Sequence, residues 1–114
     1  METEVKKYLH DILNAIEEID LFFGDKPKIF DDFNNNICLK RAVEREIEII
    51  GEAMNRILKE YRDIKITNSR RIVDARNYII HGYDSLSSDI LWSIVLNHLP
   101  LLKSEVTTLL RDDK

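Results

Sequence analysis

The sequence contains little glycine, proline and cysteine, and it has no long apolar run. Gly occurs three times and Pro twice in 114 residues, which excludes collagen-like and low-complexity chains and disfavours a turn-rich β-sandwich. The longest apolar runs, such as that at 94–96, are far shorter than the ~20 residues that span a bilayer. The single cysteine, Cys38, excludes an internal disulfide and a cysteine-based zinc site. We therefore expect a cytoplasmic protein with no signal peptide and no membrane contact.

The dominant pattern is a helical one, because apolar residues recur at steps of three and four positions. Val5, Leu9, Ile12, Ile16 and Ile19 form one such series. No alternating strand pattern of period two occurs. The periodicity predicts a short helical piece at about 27–33 and main helices over about 4–23, about 36–61, from 67 or 68 to 81, and from about 88 onward.

Residues that begin and end helices flank these segments. Thr3 and Ser87 are predicted N-caps, and Gly24 and Gly82 are predicted C-terminal stops. Pro100 lies inside the last segment, where it removes a backbone donor and should bend or interrupt the helix.

These segments predict an all-α protein, a four-helix bundle formed by one domain over 1–114. A domain of this size buries only about two-thirds of its unfolded surface by itself. Pairing of two copies into a homodimer would complete the burial, although composition alone leaves a monomer open as well.

The charge is acidic overall but basic in the middle of the chain. The net charge is −4, whereas residues 40–76 carry ten basic and seven acidic side chains. A local basic patch on an acidic chain fits a confined phosphate site better than a long nucleic-acid track, and no DNA binding is expected. Phosphate-binding glycine loops and metal-binding histidine motifs are absent, so we expect no cofactor and no metal.

One stretch, 76–83, combines several reactive side chains. On a helical wheel at ~100° per residue, Arg76 falls in the middle of the apolar face of the third main helix. A buried guanidinium keeps its charge and needs an anion or a network of hydrogen bonds. That anion is either a carboxylate of a neighbouring helix, with Glu46 and Glu52 as candidates, or a bound phosphate.

His81 and Asn77 also allow two interpretations. A histidine at a helix C-terminus commonly stabilises the helix dipole. Alternatively, His81 and Asn77 face the same cleft as Arg76, where a histidine can move protons and an arginine can stabilise charge on phosphate oxygens. Such a pair suits cleavage of RNA without metal, because the 2′-hydroxyl of RNA supplies the nucleophile.

The pattern Arg-x4-His-x-Tyr, with Asn directly after the Arg, resembles the signature of HEPN ribonucleases. The resemblance is greatest to the HepT branch, toxins that pair with a minimal nucleotidyltransferase (MNT). The segments Ile49-Ile50-Gly51-Glu52-Ala53 and His81-Gly82-Tyr83-Asp84 are similar to that branch as well. The similarity covers about 35–105 and follows the order of the four helices.

The resemblance implies a fold, an activity and partners. The fold would be a HEPN-type four-helix bundle, and the protein a metal-independent endoribonuclease toxin of a type VII-like toxin–antitoxin pair. Arg76 and His81 would be catalytic, with Asn77 orienting or supporting them. The spacing, rather than the resemblance, adds Glu46 or Glu52 as support for Arg76. Two motifs would meet across a homodimer to form the RNA cleft.

The resemblance also implies regulation. The partner nucleotidyltransferase would act as antitoxin by adding AMP to Tyr83. The alternative function is a non-cleaving nucleotide-binding or substrate subunit of a nucleotidyltransferase complex.

Overall fold

The computed structural model describes residues 1–82 and 86–113, and within them the chain is helical with no strand. These residues form six α-helices, and a π-helical turn, Ile94–His98, joins the last two of them. The α-helices are α1 (Thr3–Phe23), α2 (Phe30–Asn34), α3 (Ile37–Glu60), α4 (Ser69–Ile80), α5 (Ser88–Ser93) and α6 (Leu99–Asp112). The prediction of an all-α fold with four main helical rods and one short helical piece is confirmed.

The first rod, α1, buries the apolar series that predicted it. Its buried side chains are Val5, Leu9, Ile12, Ala15, Ile16 and Ile19. Gly24 ends the helix with a φ of 63°, a backbone conformation that favours glycine. Thr3 is the first helical residue rather than the N-cap, because Glu2 before it has the extended backbone of a cap.

The central rod, α3, begins at a polar cap. The side chain of Asn36 accepts a hydrogen bond from the backbone N–H of Leu39, at 3.0 Å, which satisfies one of the free donors of the first turn. One side of α3 packs on α1 and another on α4. Its buried residues therefore form a wide apolar surface: Val43, Ile47, Ile50, Ala53, Met54 and Ile57.

The last rod consists of α5, the π-helical turn and α6, and its α-helical pattern is interrupted just before Pro100. Ser87 caps α5 by accepting from the backbone N–H of Ile90, as predicted. Pro100 has no N–H to donate to the carbonyl of Leu96, and its ring crowds that position. In the π-helical turn the N–H of Leu99 reaches back five residues to the carbonyl of Ile94.

The rods are unevenly packed. In the described part of the chain α1 contacts α3 and α6, whereas α4 has close backbone contacts with α3 only. One side of α4 therefore stays open to solvent along its length. None of the described helices is both long enough and apolar enough to cross a membrane.

Candidate functional site

The contact between α3 and α4 depends on a glycine. A methyl group on Gly51 of α3 would overlap Cβ of Arg76 and lie 2.8 Å from the carbonyl oxygen of Ile72, both on α4. The absence of a side chain therefore lets the two helix backbones approach closely. This close approach brings the base of the Arg76 side chain against α3.

Arg76 is partly buried and bonded to two side chains. Its side chain is 23% exposed, and its Nη2 lies 2.5 Å from Oε2 of Glu52 on α3. Its Nη1 donates to Oδ1 of the adjacent Asn77 at 2.9 Å. The helical wheel predicts an arginine on the inner face of α4. In the structure this arginine has a carboxylate partner, and part of its side chain stays exposed.

Glu52 joins Arg76 to a second arginine. Nε of Arg56, one turn further along α3, donates to Oε1 of Glu52 at 2.9 Å. The hydrogen bond from Arg56 lowers the pKa of Glu52, and the charges of Arg76 and Arg56 add to this effect against partial desolvation. Glu52 is therefore a carboxylate that binds a different guanidinium at each oxygen. The motif at 76–83 gave no hint of Arg56, although its spacing of four residues from Glu52 is that of a helical ion pair.

Glu46 lies elsewhere. It is only 5% exposed, and burial, together with a hydrogen bond to Glu18 of α1 and the charge of that residue, raises its pKa to about 7 against the opposing charge of Arg45. Of the two carboxylates considered for Arg76, the structure places Glu52 beside it and Glu46 at the contact with α1.

His81 stands at the end of α4. Its backbone N–H donates to the carbonyl of Asn77 at 3.1 Å, and its side chain is exposed. Gly82 follows with a φ of 69° and ends the helix. Asn77 is thus bonded to both motif residues, to Arg76 by its side chain and to His81 by its backbone.

A cleft of about 430 Å³ lies beside Arg76, between α1, α3 and α4. It has three basic and three acidic side chains in its wall, and its lining residues are Tyr8, Asp11, Arg45, Glu48, Ile49, Glu52, Ala53, Arg56, Arg76 and Ile80. His81 is not among them. The five positions from Arg76 to His81 turn an α-helix by about 140°, so within one chain the two side chains do not converge on this cleft.

A larger groove of about 960 Å³ runs along the opposite side of α4, against α5 and α6. Tyr78 and Ile90 line it and are about half exposed. At its far end, Nε2 of His98 is buried without a hydrogen-bond partner in the described part of the chain, and burial lowers the pKa of this imidazole. In the described part of the chain, the groove separates α4 from α5 and α6, with which α4 has no close backbone contact.

Two further expectations concern Tyr83 and metal binding. Tyr83, the expected AMP acceptor, lies outside the described residues. Among residues 1–82 and 86–113, no group of three or more His, Cys, Asp or Glu side chains could hold a metal ion.

Comparison with known proteins places the chain in a family. The profile of the HepT-like family (ribonuclease HepT-like) matches residues 12–109. A candidate RNase of Methanocaldococcus jannaschii is 36% identical over 105 residues, which cover 90% of this chain and 94% of that protein.

Two other relatives cover the chain to a similar extent. A candidate RNase of Caldanaerobacter subterraneus subsp. tengcongensis is 32% identical over 112 residues, 96% of each chain. A candidate HepT ribonuclease of Thermococcus cleftensis is 34% identical over 109 residues, 92% of this chain and 94% of that protein. No solved structure gives a significant match. The profile match and these full-length similarities show that the chain belongs to the HepT-like ribonuclease family.

Proposed function

We propose that the protein is a metal-independent endoribonuclease and the toxin of a type VII-like toxin–antitoxin pair. The chain belongs to the HepT-like ribonuclease family. Within it, the observation that carries the proposal is the arrangement of Arg76, Asn77 and His81 at the end of α4. Arg76 of α4 is paired with Glu52 of α3 and keeps part of its side chain exposed, and Asn77 connects it to an exposed His81. An anion-binding group and a proton-transfer group thus belong to one short segment.

The chemistry that suits these groups is transesterification of RNA. The imidazole of His81 can accept the proton of the 2′-hydroxyl. The 2′-oxygen then forms a bond to phosphorus while the bond from phosphorus to the 5′-oxygen breaks. Arg76 stabilises the charge on the phosphate oxygens, and the 5′-oxygen leaves with a proton, so neither a metal nor a protein nucleophile is required.

A second copy of the chain would complete the active site. Arg76 and His81 diverge around α4 within one chain, and His81 does not line the cleft of Arg76. In a homodimer, His81 of one copy can face the arginine of the other. The open groove beside α4, with its half-exposed Tyr78 and Ile90, supports pairing because a monomer gains by covering such apolar surface.

Regulation follows from the position of Tyr83 in the sequence. It lies two residues after His81, so AMP attached to its hydroxyl would add phosphate charge beside the catalytic groups. An MNT-type nucleotidyltransferase antitoxin that makes this modification would prevent the RNA backbone from entering.

The test is cleavage of a matched pair of oligonucleotides in EDTA. The purified protein should cut a single-stranded RNA and leave the same sequence uncut when every nucleotide is 2′-deoxy. The 5′ fragment should end in a 2′,3′-cyclic phosphate, detected by mass. If neither RNA nor DNA is cut, the proposal fails in favour of the non-cleaving subunit. If both are cut, the 2′-hydroxyl mechanism is wrong.

A further inference from the structure

We infer that Arg56 and Arg76 together form a phosphodiester-binding site, which the carboxylate of Glu52 occupies in the free protein. The inference rests on the proposed function, because it takes RNA to be the substrate. It adds Arg56 to the residues that bind the substrate, and it gives Glu52 the role of a displaceable anion.

The geometry is that of an anion held between two guanidinium groups. Oε1 of Glu52 accepts from Nε of Arg56 at 2.9 Å, and Oε2 lies 2.5 Å from Nη2 of Arg76. Two non-bridging oxygens of a phosphodiester can take the place of the two carboxylate oxygens, because the N–H donors of guanidinium groups bind both kinds of anion. The two arginines are therefore already set at the separation that one small anion bridges.

The charges of the cleft favour an exchange of one anion for another. Its wall carries three basic groups and three acidic ones. Arg45 and Glu48 form their own ion pair at 3.0 Å, which leaves Arg56, Arg76, Glu52 and Asp11. A phosphodiester carries one negative charge, as Glu52 does, so the charge balance of the cleft is kept when Glu52 moves out and a phosphate moves in.

Glu52 is free to move in this way. Its side chain is 38% exposed and that of Arg56 is 54% exposed, so the carboxylate can turn into water without leaving a charge buried. Ion pairs at this level of exposure contribute little net free energy. RNA, which contacts several groups at once, can therefore displace the carboxylate, whereas a dilute small anion competes poorly.

The position of the site suits a phosphate next to the one that is cleaved. Arg76 belongs to the proposed catalytic motif, where it contacts Asn77, and also to the inferred anion site, where it contacts Glu52. Arg56 lies on α3, on the other side of the Glu52 carboxylate from Arg76. An RNA strand bound at Arg76 would thus have a second phosphate contact without any change in the fold.

The experiment measures RNA binding separately from cleavage. The protein carrying His81→Ala is titrated against a short fluorescein-labelled single-stranded RNA, alone and with one further substitution. With Arg56→Ala, affinity should fall about tenfold, the loss expected for one charge-assisted contact. The slope of log affinity against log salt should decrease by about 0.7, the value for one lost phosphate contact on a single strand. With Glu52→Gln, which keeps the shape and removes the charge, affinity should rise by up to about fivefold.

Arg41→Ala is the matched control. Arg41 is also an exposed arginine of α3 and has an ion pair with Glu44 at 3.2 Å, but it does not line the cleft. Its substitution should leave the affinity and the salt slope unchanged.

Equal losses with Arg41→Ala and Arg56→Ala would overturn the inference, as would unchanged or weaker binding with Glu52→Gln. If the His81→Ala protein binds no RNA at all, the proposed function fails and the site fails with it. If RNA binds normally and neither Arg56→Ala nor Glu52→Gln changes its affinity, the inferred site is wrong and the proposed function is unaffected.

Discussion

Arg76 packs against α3 through the base of its side chain and forms its polar contacts through its guanidinium. Its aliphatic part lies against Gly51, and its guanidinium is bonded to Glu52 and Asn77. A guanidinium has five N–H donors, so these bonds leave others for a ligand. Arg76 can therefore form a structural ion pair and still have N–H donors for a phosphate.

The first prediction separates the two contributions of Arg76. With Arg76→Ala we expect RNA cleavage to fall by at least about 100-fold, the loss typical of one removed donor at a developing charge. The free energy of unfolding should fall by only about 1 kcal/mol, because Glu52 stays partly exposed and bonded to Arg56. Thermal melts beside cleavage assays measure both. A stability loss of ~3–5 kcal/mol, as for a broken buried pair, with normal cleavage by the folded fraction would contradict the assignment.

The second prediction concerns Glu46, whose pKa is raised from 4.5 to about 7 by burial and by Glu18, with Arg45 opposing. A raised pKa means that the folded state holds a proton which the unfolded state has released. The stability from this group is thus complete below pH 4.5 and is lost as pH rises through about 7. At 1.4 kcal/mol per pKa unit, the rise of the pKa from 4.5 to about 7 makes the full loss about 3.5 kcal/mol.

Glu46→Gln should remove this pH dependence. We expect the variant to be more stable than the wild type at pH 8 and close to it at pH 4.5, as measured by urea unfolding at both values. Glu48→Gln is the control, because Glu48 lies on the same helix and is more exposed. Equal gains at pH 8 in the two variants would show that the effect is not one of burial.

At the scale of the helices, the positions of the elements could be predicted because local chemistry determines them. Asn36, Ser87, Gly24 and Gly82 begin or end helices by interactions with their immediate neighbours. The short helix was expected to start at Pro27, but α2 begins at Phe30. The shift of the third main helix to Ser69 has a local cause, since Asn68 has a φ of 56°, which is outside the helical region.

The helix that packs against each face of α3 could not be predicted in the same way. A helical wheel shows that Glu46 points inward, yet it cannot show which neighbouring helix lies there. Because α3 packs on both α1 and α4, an inward carboxylate can face either one. Glu46 faces Glu18 of α1, while Glu52, which the wheel places off the apolar face, meets Arg76 of α4.

The third prediction tests the contact between α3 and α4. In an exposed helix, Gly→Ala raises stability by roughly 0.5–1 kcal/mol. At Gly51 the added methyl group would overlap Arg76, so Gly51→Ala should instead destabilise the protein by about 1–3 kcal/mol. It should also reduce RNA cleavage, since α4 must move away from Glu52.

Asn14→Ala is the control for Gly51→Ala, because Asn14 is exposed on α1 and the change only improves helix propensity. Denaturant unfolding measures both variants. A stabilised Gly51→Ala protein would show that the helices have room for a side chain at this point.

At the scale of the whole molecule, α4 divides two concave surfaces. The charged cleft with Arg76 lies on one side, and the larger, more apolar groove with Tyr78 lies on the other. His81 is exposed at the end of the helix that separates them. Within one chain, the proposed catalytic side chains Arg76 and His81 therefore point in different directions, and we propose that a second copy brings them together.

The fourth prediction concerns silencing of the assembled protein. Incubation with the cognate nucleotidyltransferase and ATP should add mass in steps of one AMP and stop RNA cleavage. Tyr83→Phe should retain cleavage and gain no mass, because it lacks the phenolic oxygen that attacks the α-phosphate of ATP and releases pyrophosphate. Intact-mass measurement checks both proteins. Mass added equally to Tyr83→Phe would place the acceptor elsewhere, with Tyr78 as the next candidate.

The most direct test of the central claim is the rate of RNA cleavage in EDTA by wild-type protein and by His81→Ala, purified in parallel. Loss of one acid–base group lowers a rate by about 10²–10⁴-fold, and the exposed position of His81 leaves the thermal melt unchanged. We predict metal-free cleavage by the wild type and a loss of that size in the folded variant. Equal cleavage by the two proteins would contradict the account.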